Sequence, residues 1–289
     1  MGAVVGFAGE GVGETGAKVG ATGASVGAIG AGVGATGAAV GGVIGKLNPV
    51  MTLHWASILL TAAFAAAIWL LPKDVQAQKK HGYRQMLLAV RSEPGLRAPL
   101  LLAFFDRFTV GFFTAGFPLM MATVHDLDPP TIGKLLGAFL FPFALLSYPC
   151  GRLAERWSRM RMVAIGSLVY GFAVILIGFS PVTMLWMIML ICGISSALMF
   201  IPTLLWLLDR TQGIGRSTAI ASFHAAGSLG FLVGPLCCGK LIEAGANTAS
   251  SESIGEGYTL AFTVAGGVEI VGATIVIALG LRRTKSKQP

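Results

Sequence analysis

The chain has 289 residues, 54% of them hydrophobic and only 12% charged, about half the charged share of soluble domains. That excludes a soluble globular fold. The net charge of +8 is spread loop by loop between apolar stretches, so it sets membrane orientation and nucleic acid is not the expected partner.

Residues 2–43 are six consecutive seven-residue copies of G-x-x-V-G-x-x. One helix over 2–45 would run ~66 Å, about twice the hydrocarbon thickness, and is not a single crossing. Residues 19–45 carry no charge and would span ~40 Å as a helix, leaving Glu10, Glu14 and Lys18 outside the lipid. Two readings stand for this segment. In one it is a membrane helix whose glycine stripe lets another helix approach closely. In the other it is a Gly/Ala-rich tail without fixed structure.

Enzyme-like strings in the repeat have no context. Gly23–Gly27 spells G-x-S-x-G, but Ser25 occupies a slot that holds Lys18, Gly32 and Ala39 in neighbouring copies. G-x-G-x-x-G at Gly11, Gly13, Gly16 and at Gly32, Gly34, Gly37 neither follows a strand nor opens a dinucleotide-binding unit. His54, His81, His125 and His224 show no metal-ligand spacing. We expect no enzyme, no metal and no cofactor.

Seven apolar stretches follow, at 51–72, 98–122, 132–150, 162–180, 183–208, 217–239 and 258–281, each long enough to cross ~30 Å as a helix. The expected fold is an all-α membrane protein of seven or eight transmembrane helices. Its organisation would be a glycine-rich segment 1–45, a helix and basic loop over 46–97, six helices over 98–281, and a basic tail 282–289. Cys150, Cys192, Cys237 and Cys238 lie inside the spans and read as small buried hydrophobes. No charged n-region with a short apolar core opens the chain, so no cleaved signal peptide is expected.

Basic residues crowd alternate loops. Lys73, Lys79, Lys80, Arg84, Arg91 and Arg97 precede the second span; Arg152, Arg156, Arg159 and Arg161 follow the third. Arg210 and Arg216 follow the fifth, and Arg282, Arg283, Lys285 and Lys287 close the chain, making 16 of 21 basic residues. The positive-inside rule makes this side cytoplasmic, C-terminal tail included, in what we expect to be a bacterial inner membrane.

After the third span comes GRLAERWSRMR, Gly151 to Arg161: arginine-rich, with one acid, entered through glycine. It resembles the signature loop of the major facilitator superfamily, with Gly151, Leu153, Glu155, Arg156, Arg159 and Arg161 in matching places. Glu155 replaces the usual Asp and Ser158 replaces the second Gly, which fits the looser copy in the family's second half. In the sixth span GSLGFLVGPLCCG resembles the family's g-x-x-x-G-P-x-x-G-G motif through Gly230, Gly234, Pro235 and Gly239. The resemblance covers roughly 46–285 and implies family helices six to twelve, with the glycine segment at the place of helix five. It also implies a gating role for Glu155 and Arg159.

Ionisable residues inside spans are functional candidates because burying them in lipid is costly. Asp106 and Arg107 lead, ~10–15 Å into their helix; the alternative is an interfacial pair with Arg107 snorkelling to headgroups. Glu269 sits ~17 Å along its span, as a proton site or as a structural hydrogen bond to a neighbour. His224 is a proton carrier or a packing histidine. Ser196 and Thr203 share a face with Met199, as a substrate path or as ordinary helix packing.

The resemblance implies a solute transporter that works by alternating access. Abundant Phe and Met in the spans, with few polar groups, lean towards a hydrophobic or amphipathic cargo exported against protons, but the substrate itself is not legible. The family cavity lies between two six-helix halves, so the expected partners are a small solute, protons, the lipid bilayer, and a partner half or a second copy. The competing class is a non-transporting scaffold that oligomerises through the glycine repeat.

Overall fold

A computed structural model describes residues 37, 40–46, 49–70, 93–211, 216–246 and 251–285. The heptad repeat over 1–36, most of the basic loop before the second span, and the last four residues lie outside the described residues. So do the expected helix over 19–45, apart from its last turns, and the choice between packed helix and tail.

Among the described residues every regular element is helical. Helix α1 covers Pro49–Leu70, α2 Arg97–Thr123, α3 Pro129–Arg156, α4 Arg159–Ile177, α5 Val182–Asp209, α6 Arg216–Gly245 and α7 Ser251–Lys285, with a 3-10 turn at Pro94–Leu96 leading into α2. They follow the seven apolar stretches in order. Helices α2 to α7 are long and apolar enough to cross a membrane. Helix α1 has 22 residues, ~33 Å of rise, which also matches the bilayer core. The helices outrun the hydropathy bounds because good helix formers such as Leu153, Ala154 and Glu155 carry α3 beyond the apolar window into water.

Around the bundle α3 packs on α5, α5 on α4, α4 on α7, α7 on α2 and α2 on α6, while α6 also meets α7 and α2 meets α5 across the interior. Helix α2 is the centre: 67% of its span is buried, against 22% for α6, which keeps one face open. The core is large and apolar, built from side chains such as Phe112, Phe117, Leu135, Tyr170, Met189 and Phe262. Outside lies a continuous apolar coat that includes Phe141, Leu145, Phe172, Leu176, Met187, Leu232, Val271 and Ile275. No water-soluble monomer exposes so much; this is a lipid-facing surface. On α1, Leu53, Leu59, Leu60, Phe64 and Ile68 are all at least 64% exposed.

The most extensive helix pairing is the α2–α6 seam, and glycine makes it close. A Cβ on Gly230 would fall on the Phe104 carbonyl, and one on Gly234 would fall on the Phe108 carbonyl. From the opposite wall, a Cβ on Gly111 would come within 2.8 Å of Pro235 Cδ. The two backbones therefore touch, which is how helices gain contact energy where lipid supplies no hydrophobic driving force between them.

The corner between α2 and α3 sits at the end expected to face outward. Asp126 takes a left-handed φ of 50°, a conformation Asp tolerates better than most residues. Asp128 caps α3, accepting a hydrogen bond from the Thr131 N–H at 3.3 Å, and Lys46 Nζ approaches it at 3.4 Å. The Thr131 bond, with Lys46 adding to it, holds the Asp128 carboxyl below the usual aspartate range. A depressed value means that the cap contributes at neutral pH and is lost only as acid drives pH down through that value. Gly42 fits beneath this corner, since a Cβ there would lie 2.6 Å from the Pro129 carbonyl.

Candidate functional site

Four helices carry prolines in their interior: Pro118 in α2, Pro142 and Pro149 in α3, Pro202 in α5 and Pro235 in α6. Helices α4 and α7 contain none. Proline removes one backbone hydrogen bond and loosens the rod at that point. The proline-free helices α4 and α7 pack together between the two proline-bearing pairs, with α5 against α4 and α2 against α7.

The adjacent residues Asp106 and Arg107 leave α2 about 100° apart. Asp106 turns into the bundle and is 6% exposed, and neither carboxylate oxygen accepts a hydrogen bond from the described residues. Arg107 turns outward onto the α5–α6 face, with Cζ 4.4 Å from the centroid of the Phe200 ring, a cation–π contact. Its Nε remains 3.6 Å from Asp106 Oδ2. Counting from Arg97, both lie ~14–15 Å along a helix that crosses ~30 Å of hydrocarbon, close to the midplane.

Around Asp106 the bundle gathers its buried polar side chains. Glu269 of α7, 1% exposed, accepts from Thr109 Oγ1 at 3.3 Å. Ser167 and Tyr170 of α4 are buried beside them. Tyr170 lies within electrostatic reach of both carboxyls and Arg107, and its hydroxyl has no hydrogen-bond partner among the described residues. A gap of about 10 Å³, bounded by Asp106, Ser167, Met199, Phe200, Thr203 and Phe223 among others, joins this pocket to the Phe200–Phe223 face. That volume suits about one water.

From the core out to that face a row of rings runs from α2 across α3, α5 and α6: Phe113 to Phe139 at 5.2 Å, then Phe143, Phe200, Phe223 and finally His224, at 5.9 Å. The spacings, 5.2–6.4 Å, are those of favourable aromatic pairs. A second, open groove of about 360 Å³ is lined by Arg107, Phe223, His224, Gly227, Ser228 and Phe231. Gly227 gives the Arg107 stem its place, since a Cβ there would meet Arg107 Cγ at 3.0 Å.

At the basic end, Gly151, Glu155 and Arg156 belong to the last turns of α3, Arg159 and Arg161 open α4, and only Trp157 and Ser158 link the two. The sequence reads as a loop because its charges mask a helix that continues. Arg159 stands at the N-terminus of α4, the wrong end of a helix dipole for a cation, beside the C-terminal turns of α3 and α5, the right ends. It donates to the Leu205 carbonyl at 2.9 Å and the Ala154 carbonyl at 3.3 Å, and pairs with Asp209. Glu155 is exposed and adds favourable charge from nearby. Asp209 was missed in the sequence because it ends an apolar span without standing out in a motif; an acid at the basic end of a helix was the available signal.

This contact makes a measurable difference. Arg159→Ala should lower thermal stability in detergent by about 2–3 kcal/mol, since three acceptors lose their donor. Asp209→Asn should cost at most about 1 kcal/mol, because the carboxylate is half-exposed and screened. Equal melting curves for wild type and Arg159→Ala would show that the contact holds nothing together.

The other sequence candidates divide by helix. Thr203 lines the gap beside Asp106, and its hydroxyl donates to the Met199 carbonyl at 2.6 Å. Ser196 is buried elsewhere on α5. His224 is exposed on the groove next to Arg107. Gly230, Gly234 and Pro235 form the α2–α6 seam, whereas a Cβ on Gly239 would meet nothing within 4 Å.

A scan against protein families matches the Major Facilitator Superfamily over residues 99–289. The chain belongs to the major facilitator superfamily. It is 28% identical over 127 residues to multidrug resistance protein 2 of Bacillus subtilis, and 30% identical over 127 residues to multidrug resistance protein 1 of the same organism. Each match spans 44% of this chain and 32% of the relative, so the matched segment is about a third of the length of the relatives. Its fold is similar to the crystal structure of a bacterial homolog to the human lysosomal transporter Spinster, inward-facing and unoccupied, with a TM-score of 0.65 at 14% identity over 91% of this chain and 69% of that one. This superfamily member is an integral membrane protein with a transporter's helical architecture.

Proposed function

We propose that this superfamily chain moves a small solute by alternating access, with α2, α5 and α6 as one wall of the path and proton exchange at Asp106 as the drive. The observation that carries the reading is the midplane pair split between two environments. Asp106 lies in a buried polar pocket with no hydrogen-bond donor to it among the described residues, and Arg107 lies on the open aromatic face a single residue away. A change of charge at one is felt at the other, because a buried charge interacts strongly at short range. Midplane sites of this kind are where transporters couple ions to solute. The proline-bearing helices supply the bending, and Arg159, with Asp209 and Glu155 beside it, holds the cytoplasmic end in one access state. Glu269 acts mainly as a structural hydrogen-bond acceptor for Thr109. The opposite wall comes from a second helical bundle, in a bacterial inner membrane with the basic loops inside.

The relatives' names point to multidrug resistance, which makes export of amphipathic compounds the working class. The test is uptake into proteoliposomes under an imposed pH gradient, using a panel of amphipathic compounds. Accumulation of at least one compound that collapses with a proton ionophore supports the reading. No gradient-dependent accumulation, with the protein folded and inserted, would contradict it.

A further inference from the structure

We infer that the open groove beside Arg107 takes an aromatic organic anion, a carboxylate or sulfonate on a ring system, with Arg107 as its anchor. This deepens the transport reading by naming the solute class, and it rests on that reading only for the biological use of the site. Five observations meet there. The groove holds about 360 Å³, within the range of sites for small organic molecules. Among the residues that line it, Arg107 is a cation and none is a carboxylate; His224 and Ser228 supply further donors. Phe223 and Phe231 bound it, and Phe200 lies under the guanidinium, so a ring can lie against rings while its acid group meets Arg107. Asp106, the acid paired with Arg107, is buried beside the groove: its oxygen is 3.6 Å from Nε, and the Arg107 side chain still keeps 31% of its surface exposed. The guanidinium, with Cζ 4.4 Å from the Phe200 centroid and its stem seated over Gly227, offers a planar fork of donors that suits bidentate recognition of a planar anion.

A cationic drug would meet the opposite situation. It would have to approach Arg107 with no exposed carboxylate in the groove to offset the repulsion. The chemistry therefore favours anions over cations of the same shape. An anionic lipid headgroup offers similar chemistry, and the experiment has to separate the two.

The experiment uses the purified full chain in nanodiscs of pure phosphatidylcholine. Binding of naphthalene-2-carboxylate is compared by calorimetry with binding of the matched cation naphthalen-2-yl-trimethylammonium. Wild type should bind the anion at least tenfold more tightly than the cation. Arg107→Gln should erase that preference, and Arg107→Lys should restore part of it. Adding phosphatidylglycerol to the nanodisc should change anion affinity less than threefold. Equal or tighter binding of the cation overturns the inference, as does absence of binding by either probe. Abolition of anion binding by phosphatidylglycerol overturns it too, by assigning the site to lipid. None of these outcomes depends on transport, so the proton-driven uptake assay can succeed while this inference fails, and the reverse.

Discussion

Gly234→Leu is expected to yield no monodisperse folded protein, whereas Gly239→Leu, five residues along the same motif, should behave like wild type. The contrast follows from what each position faces. At Gly234 even a Cβ would land on the Phe108 carbonyl, with Gly111 Cα only 3.1 Å away. These are backbone atoms, and no rotamer change can clear them. Helix α6 would have to move off α2, opening the most extensive seam of the most buried span. Overpacking that flexible side chains can absorb costs ~1–3 kcal/mol. Separation of two backbones belongs above that, in the range where single substitutions unfold marginal proteins. Gly239 faces open space, so leucine there adds only apolar surface. Size-exclusion profiles and melting curves of the two variants decide the matter. Equal behaviour in either direction means that the motif's glycines do not set this contact.

Asp106→Asn should abolish pH-gradient-driven accumulation, a loss of at least about 100-fold, while leaving solute exchange at equal pH largely intact. Asparagine keeps the volume and loses the proton. If Asp106 carries the coupling proton, driven and undriven transport separate; if it serves only to pack, both fall or neither does. Glu269→Gln is the companion. Thr109 Oγ1 donates to Glu269 at 3.3 Å, and a glutamine oxygen can accept that same bond. Its effect on driven accumulation should stay within about tenfold. The reverse order, with Glu269→Gln the more damaging, would move the proton site from α2 to α7.

Hydropathy made the spans legible because a 30 Å apolar slab imposes length and composition directly. Helix ends were less so. Gly151 to Arg161 read as a loop because it is charged, yet Gly151–Arg156 remains helical and only Trp157 and Ser158 turn the chain. The seam glycines were legible through their spacing; that Gly239 falls off the seam was not, because register depends on where α6 rotates to meet α2. Asp106, Arg107 and Glu269 stood out as ionisable residues in apolar runs. Their neighbours Ser167 and Tyr170 did not, since they sit on α4, some 60 residues after Asp106 in sequence, and only packing brings them together. The row from Phe113 to Phe223 was hidden for the same reason: phenylalanine is common in spans, and nothing local says which rings meet.

The most direct measurement is cysteine accessibility in membranes, on a background with Cys150, Cys192, Cys237 and Cys238 replaced. His224→Cys and Ser228→Cys lie on the α2–α6 groove; Val271→Cys and Ile275→Cys lie on the purely apolar α2–α7 groove. If the α2, α5 and α6 face lines a solute path, a water-soluble, membrane-impermeant thiol reagent modifies positions 224 and 228 and spares 271 and 275, and a transported solute slows the reaction at 224. Reaction at 271 and 275 with none at 224 and 228 would place the water path on the other side of the bundle and contradict the account.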